Sequence, residues 1–269
     1  MKKLSIVCSY YNRRPQFERT LDSIRKSSMR DDVEVVVTDD ASDEGQRVEE
    51  FIGNYGLSHK VIYVEPEDKK HINPCIPNNK AIAEATGEII ILQNPECFHT
   101  SDILLHAVNN LEENLYFSYA CYSLAEEPTS RFTEFCSSKN YYDHMIDFCK
   151  SLPNKGTVQG ETGWYNHSFH RPVGYNFLAA LHKSNLDQLG GFDERYATGI
   201  GFDDDEFLFR VRLMGLDVQI IDEPFCFHQF HYGSSSFEQQ AADDWNLFNI
   251  NRTLFQKSTS QSKEWRLDQ

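Results

Sequence analysis

The sequence predicts an α/β protein built on a mainly parallel sheet with helices on both faces. Three observations carry this. Short runs rich in β-branched residues alternate with stretches of helical periodicity over the first 122 residues, in a βαβαβα order. Those runs, such as Val35-Val36-Val37 and Ile89–Leu92, are continuously apolar, as expected of strands covered on both faces. Three of them end in polar clusters, and in such sheets ligands bind beyond the carboxyl ends of the strands.

Residues 4–8, LSIVC, form the first strand, followed by Tyr11-Asn12. Pro15 opens a helix with Phe17, Leu21 and Ile24 on its core face. The second strand, Val33–Thr38, runs into Asp39-Asp40. Val48, Phe51, Ile52 and Tyr55, at i, i+3, i+4 and i+7, predict a helix. Strand Lys60–Val64, a helix over Asn79–Ala85 closed by Gly87, and strand Glu88–Leu92 follow, the last ending in Asn94-Pro95-Glu96. A helix from about Ser101 to Leu111 and a strand over Leu115–Cys121 complete this part. Between 123 and 175, Pro, Gly and aromatic residues break the pattern, which predicts a long, partly helical and irregular excursion: a pocket lining or a plain surface insertion. Order returns with strand Asn176–Leu181, a helix after Asp203-Asp204-Asp205-Glu206, strand Val218–Ile221 and the segment Pro224–His231. Beyond the serines after 232, Trp245, Phe248, Asn251 and Phe255 recur at helical spacing.

With 40% hydrophobic residues the chain can build a substantial core, and its net charge of −15 argues against nucleic acid as a partner. No apolar run is long enough to span a membrane, and the N-terminus is not a signal peptide. Seven scattered cysteines without a CxxC pair point to reduced thiols and a cytoplasmic setting, and against a disulfide framework or a structural zinc site.

The stretch TGIGFDDDEFLFR, Thr198–Arg210, concentrates four carboxylates at a helix start, where unpaired amides and the helix dipole favour negative charge. Read alone, the run is either a helix cap or the acidic end of a site.

Several motifs coincide with a known family. The openings SIVCSYYNR and VVVTDDASDE, then NKAIAEATGEIIIL, GGFDE and GIGFDDDEFLFR, occur in the order found in inverting family-2 glycosyltransferases of the GT-A fold, which the chain resembles from Leu4 to about His231. The last motif is most similar to the GWGGEDD pattern of galactosyltransferase-type members. The resemblance implies a Rossmann-like GT-A fold with a nucleotide-sugar-binding half (1–122), an acceptor-binding and catalytic half of the same domain (123–235), and a C-terminal helical tail (236–269). It implies a metal-assisted hexosyltransferase that moves a sugar from a UDP-sugar to a hydroxyl of a glycan or lipid-linked glycan, as in polysaccharide biosynthesis.

Residue by residue, Asp40 matches the acid that accepts the nucleobase imide N–H, which reads uracil over cytosine. Asp39 is either a second ligand or a turn cap. Tyr11 and Asn12 stand where they would flank and bond the base. Where the family usually carries Asp-x-Asp, this chain has Asn94-Pro95-Glu96. Glu96 falls on the second acid position and is the candidate ligand for Mn2+ or Mg2+; Asn94 offers a neutral amide. His228 or His231 would complete the metal's coordination. Asp204 matches the catalytic base, with Asp203 orienting the acceptor. Trp164 and Tyr165, in a Gly-flanked loop, are either a sugar-stacking platform or core residues, and Arg171 either pairs with the diphosphate or forms a surface ion pair. The tail either rests on a membrane surface or a second subunit or packs on its own domain, and a chain with few basic residues favours the last. Two rivals remain. A sugar nucleotidyltransferase would need a Gly-rich loop where SYYNRRPQ stands. A non-catalytic nucleotide- or saccharide-binding module would fit the altered metal motif.

Overall fold

The computed structural model describes residues 3–138, 141–158, 160–231 and 237–267. Its elements are β1 (Leu4–Tyr10), α1 (Arg14–Ile24), β2 (Val33–Asp39), β3 (Ser58–Tyr63), α2 (Cys75–Glu84), β4 (Ile89–Gln93), β5 (Cys97–His99), α3 (Ile103–Asn110), β6 (Leu115–Ser123), α4 (Glu126–Phe135), α5 (Tyr141–Lys150), β7 (Gly163–Asn166), β8 (Leu178–His182), α6 (Lys183–Leu189), α7 (Asp203–Leu213), β9 (Asp217–His228) and α8 (Phe237–Leu267). The serine-rich stretch 232–236 lies outside the described residues.

One sheet organises them, in the order β3-β2-β1-β4-β8-β6-β9-β5, with β7 paired to β6. β1 is parallel to β2 and β4, and β2 is parallel to β3, so four strands present their carboxyl ends at one edge. β8 enters antiparallel between β4 and β6, with Gln93 opposite Leu178. The reversed strand therefore brings its preceding residues, Asn176 and Phe177, to the edge where β4 ends. The Asn94 amide donates to the Phe177 carbonyl there at 3.0 Å.

The predicted apolar runs are the interior strands: every residue of β4 and β6 is buried, and Val35, Val36 and Val37 are at 0% exposure. Two hydrophobic clusters cover the opposite faces of the sheet. One holds Ile6, Phe17, Val35 and Phe117, and the other Val7, Val36, Ile90 and Phe207. A third joins Tyr122, Phe132, Phe148 and Phe227, and gives the 123–175 excursion a core of its own through α4 and α5.

The structure differs from the sequence reading in three places. Val48–Tyr55 is not an α-helix but two 3-10 turns, Val48–Glu50 and Ile52–Tyr55, separated at Phe51. Gly53 and Asn54 are poor helix formers, and Gly56 closes the segment in the left-handed region. The expected residues Val48, Phe51 and Ile52 still bury. Second, the strand expected at Val218–Ile221 runs on to His228 and absorbs the segment after it, because β6 and β5 pair with it along its length. Third, the short strands β5 and β7 and the two-turn helix α6 were not expected.

The tail helix α8 packs on its own domain. Phe248 and Phe255 lie 5.0 and 5.6 Å from the ring of Phe202, and Asn251 Nδ2 donates to the carbonyls of Tyr196 (3.1 Å) and Gly201 (2.8 Å). Together they hold the loop that leads into α7. Phe202, the residue before that helix, adopts φ 62°, a left-handed conformation costly for a bulky side chain and held here by the two rings. The approach is close at Gly199, where a Cβ would fall 2.2 Å from Asn251 Oδ1 and 2.8 Å from the Leu247 carbonyl. Gly199→Ala is therefore expected to push α8 off the loop and lower unfolding free energy by about 1–3 kcal/mol, read as a drop in Tm.

Candidate active site

A cleft of about 1220 Å³ opens at the carboxyl edge of the sheet. Of the residues singled out in the sequence, Tyr11, Asn12, Asp40, Asn94, Glu96, Asp203, Asp204, His228 and His231 all line it. Asp39, Trp164 and Arg171 do not.

At one end, β1 and β2 deliver Tyr11 and Asp40. Lys69 Nζ sits 3.4 Å from the centre of the Tyr11 ring and 3.0 Å from Asp40 Oδ2, while His71 Nε2 lies 2.8 Å from Asp40 Oδ1. Asp40 is thus fixed by two partners from the segment after β3. Asn12, at φ 48°, ties the two strand-end loops together: its Oδ1 accepts from the Asp43 amide at 2.9 Å and its Nδ2 donates to Asp43 Oδ2 at 2.8 Å. Asp39 is a turn residue, with one oxygen accepting from the Ser42 amide (3.0 Å) and the other from the Val48 amide (2.8 Å).

In the middle, the turn between β4 and β5 carries Glu96, which is 1% exposed. Arg13 Nη1 lies 2.7 Å from its Oε2; His228 Nε2 and His231 Nε2 lie 3.1 and 3.7 Å from its Oε1. Burial alone would raise the Glu96 carboxyl, but Arg13 and the two imidazoles outweigh it and hold it well below the usual carboxylate range. Donor atoms of Glu96, His228 and His231 all lie within 4.8 Å of one another. One carboxylate and two imidazoles at this spacing fit a divalent transition ion.

At the far end, α7 begins with the acids. Asn73 Nδ2 donates to Asp203 Oδ1 at 2.7 Å, and the Tyr175 hydroxyl donates to Asp205 Oδ1 at 2.7 Å. Among the described residues no donor reaches the carboxylate of Asp204, which opens into the cleft. Protein on its other sides, then the charges of Asp203 and Asp205, push its carboxyl well above the ordinary range. Glu206 turns away and is held by Arg210 through a two-pronged pair at 2.6 and 2.7 Å.

Trp164 packs into the third cluster, 4.9 Å from Tyr122, and its Nε1 donates to Asn154 Oδ1 at 2.7 Å; its neighbour Tyr165 faces the cleft instead. Arg171 bonds the Tyr165 carbonyl and lies over that ring at 5.1 Å, outside the cleft. Sequence reasoning missed Arg13, Lys69, His71 and Asn73. The strand-end rule that found Tyr11 and Asp40 applies equally to the segment after β3, and would have found Lys69 and His71.

The sequence profile of glycosyl transferase family 2 matches residues 5–171. The chain belongs to this family. As a family-2 member it is also similar in fold to solved glycosyltransferases. S. aureus TarS 1–349 in complex with UDP-GlcNAc superposes with a TM-score of 0.60 at 16% identity, covering 92% of this chain and 64% of that one. The mannosyltransferase PcManGT from Pyrobaculum calidifontis, in complex with GDP-Man and Mn2+, gives 0.52 at 21% identity, covering 86% and 58%. The chain thus spans less than two thirds of either protein. No curated protein matches it by sequence. Among the described residues no helix is long and apolar enough to cross a membrane.

Proposed function

We propose that this family-2 member is an inverting glycosyltransferase that moves a sugar from a UDP-sugar to a hydroxyl of a glycan or lipid-linked glycan. The observation that carries the reading is one cleft lined by Asp40, Glu96 and Asp204, which are remote along the chain. The UDP-GlcNAc and GDP-Man in the complexes of TarS and PcManGT support a nucleotide-sugar donor. The thiols, all free, suit a cytoplasmic enzyme.

In this reading the uracil lies against Tyr11. Each Asp40 oxygen keeps a lone pair after bonding His71 or Lys69, so the carboxylate can still accept the imide N–H. Glu96, His228 and His231 would hold Mn2+ or Mg2+, which when bound offsets the charge of the departing diphosphate. Arg13 adds a fixed positive charge beside them, and Asn94 an amide where relatives have an acid. Across the cleft, Asp203 orients the acceptor. Asp204 takes the hydroxyl proton as that oxygen attacks the anomeric carbon; the bond to the diphosphate breaks, and UDP departs from the opposite face.

His71→Ala frees Asp40 on one side. The Kd for UDP is expected to rise roughly tenfold, with kcat little changed, by calorimetry and initial rates.

The reading is tested by incubating the protein with UDP-sugars, Mn2+ and glycan acceptors and measuring UDP release. Turnover that depends on acceptor supports it. Tight UDP binding with no release across donors and acceptors would instead support a binding module built on this fold.

A further inference from the structure

Seven cysteines scattered along the chain argue against a metal centre when spacing is read along the sequence. Strand pairing reverses that argument. β5 and β6 flank β9 on either side, with Cys121 directly opposite Cys226 and Cys97 opposite His228, two residues along the same face of β9. The sulfurs of Cys97, Cys121 and Cys226 consequently gather within 4.8 Å of one another, and all three residues are at 0% exposure.

We propose that these three cysteines form a thiolate site for a soft d10 cation, Zn2+ or Cu+, behind the cleft and distinct from the Glu96–His228–His231 group. The inference stands apart from the transfer reaction and does not depend on it. With metal–sulfur bonds of about 2.3 Å, a three-thiolate centre needs sulfurs about 3.8–4.0 Å apart. Sulfurs at the outer limit of 4.8 Å reach that by moving about half an ångström each. Thiolate donors select soft ions over Mg2+ or Mn2+, so the two centres would not compete for the same metal. Each thiol releases its proton to solvent as the strands close around the ion, and the cation offsets part of the negative charge that burial would otherwise oppose. Because no solvent reaches the trio, the ion enters while the strands assemble. Once there it would tie β5, β6 and β9 together, and Glu96 adjoins β5 while His228 ends β9.

The test refolds the full chain under reducing conditions with Zn2+, Cu+ or Cd2+, removes loosely held metal with a chelator, and measures retained metal by elemental mass spectrometry. About one ion per chain is expected in the unsubstituted protein, with a thiolate-to-metal charge-transfer band for Cd2+. The ion that stays distinguishes zinc from copper. Retention should persist in Glu96→Gln/His228→Asn and be lost in Cys121→Ser and in the milder Cys121→Ala, with circular dichroism confirming the fold of each. No retained metal in the unsubstituted protein, with all thiols alkylatable after unfolding, would overturn the site. So would metal that survives loss of Cys121 but disappears with Glu96 and His228.

Discussion

Asp204→Asn is expected to slow sugar transfer by roughly 10²–10⁴-fold while leaving UDP affinity intact. The amide keeps the size of the side chain and its place at the start of α7, so the donor end of the cleft is undisturbed. It cannot take a proton. Initial rates and UDP calorimetry on the same preparation separate the two effects; an unimpaired kcat would remove Asp204 from the role of base. The pH profile gives an independent check. Burial, then the neighbouring Asp203 and Asp205 charges, raise the Asp204 carboxyl. The base is protonated and idle below that raised pKa, so kcat should fall on the acid side at a pH above the usual carboxylate range. Asp205→Asn removes one of the charges that raise it. The acid limb should then move to lower pH, with the rate at its plateau reduced because the base is weaker.

Arg13→Ala is expected to cost about 3 kcal/mol of unfolding free energy, measured by denaturant titration. Glu96 is buried, and Arg13 is its shortest charged contact, at 2.7 Å. Without it the carboxylate keeps only the two imidazoles. Mn2+ should restore part of the loss, because an ion bound to the native state alone stabilises it by mass action. The same ion should raise Tm little in Glu96→Gln, where the carboxylate ligand is gone. Equal Mn2+ shifts in both variants would place the ion elsewhere.

The parts of this molecule that were legible in the sequence are those where one local rule decides. Val35-Val36-Val37, a β-branched run ending in turn residues, reads as an interior strand, and Asp40 follows its end, so both could be placed. The acidic start of α7 was legible for the same reason, through a run of acids before an apolar helical face. What was not legible depends on strands meeting at long range. Glu96 was set beside His228 and His231 only through the family resemblance, and Arg13 was missed, because their meeting depends on the ends of β1, β4 and β9 being brought to one edge. Tyr165 and Trp164 are adjacent, and only the pairing of β7 with β6 decides which faces the cleft. The 3-10 turns at Val48–Tyr55 show the converse: the right residues bury in a conformation their spacing did not predict, because Gly53 and Asn54 are poor helix formers and Gly56 ends the segment in the left-handed region.

The reversed strand β8 has a consequence for how the chain can be synthesised and cut. Until residue 182 has left the ribosome, the Ile89-Ile90-Ile91-Leu92 edge of β4 has no neighbour on that side. A run of this kind with open backbone groups is a template for joining other chains. Fragments ending near residue 122 should accordingly aggregate on expression, whereas a fragment reaching past β9 should remain monomeric in sedimentation.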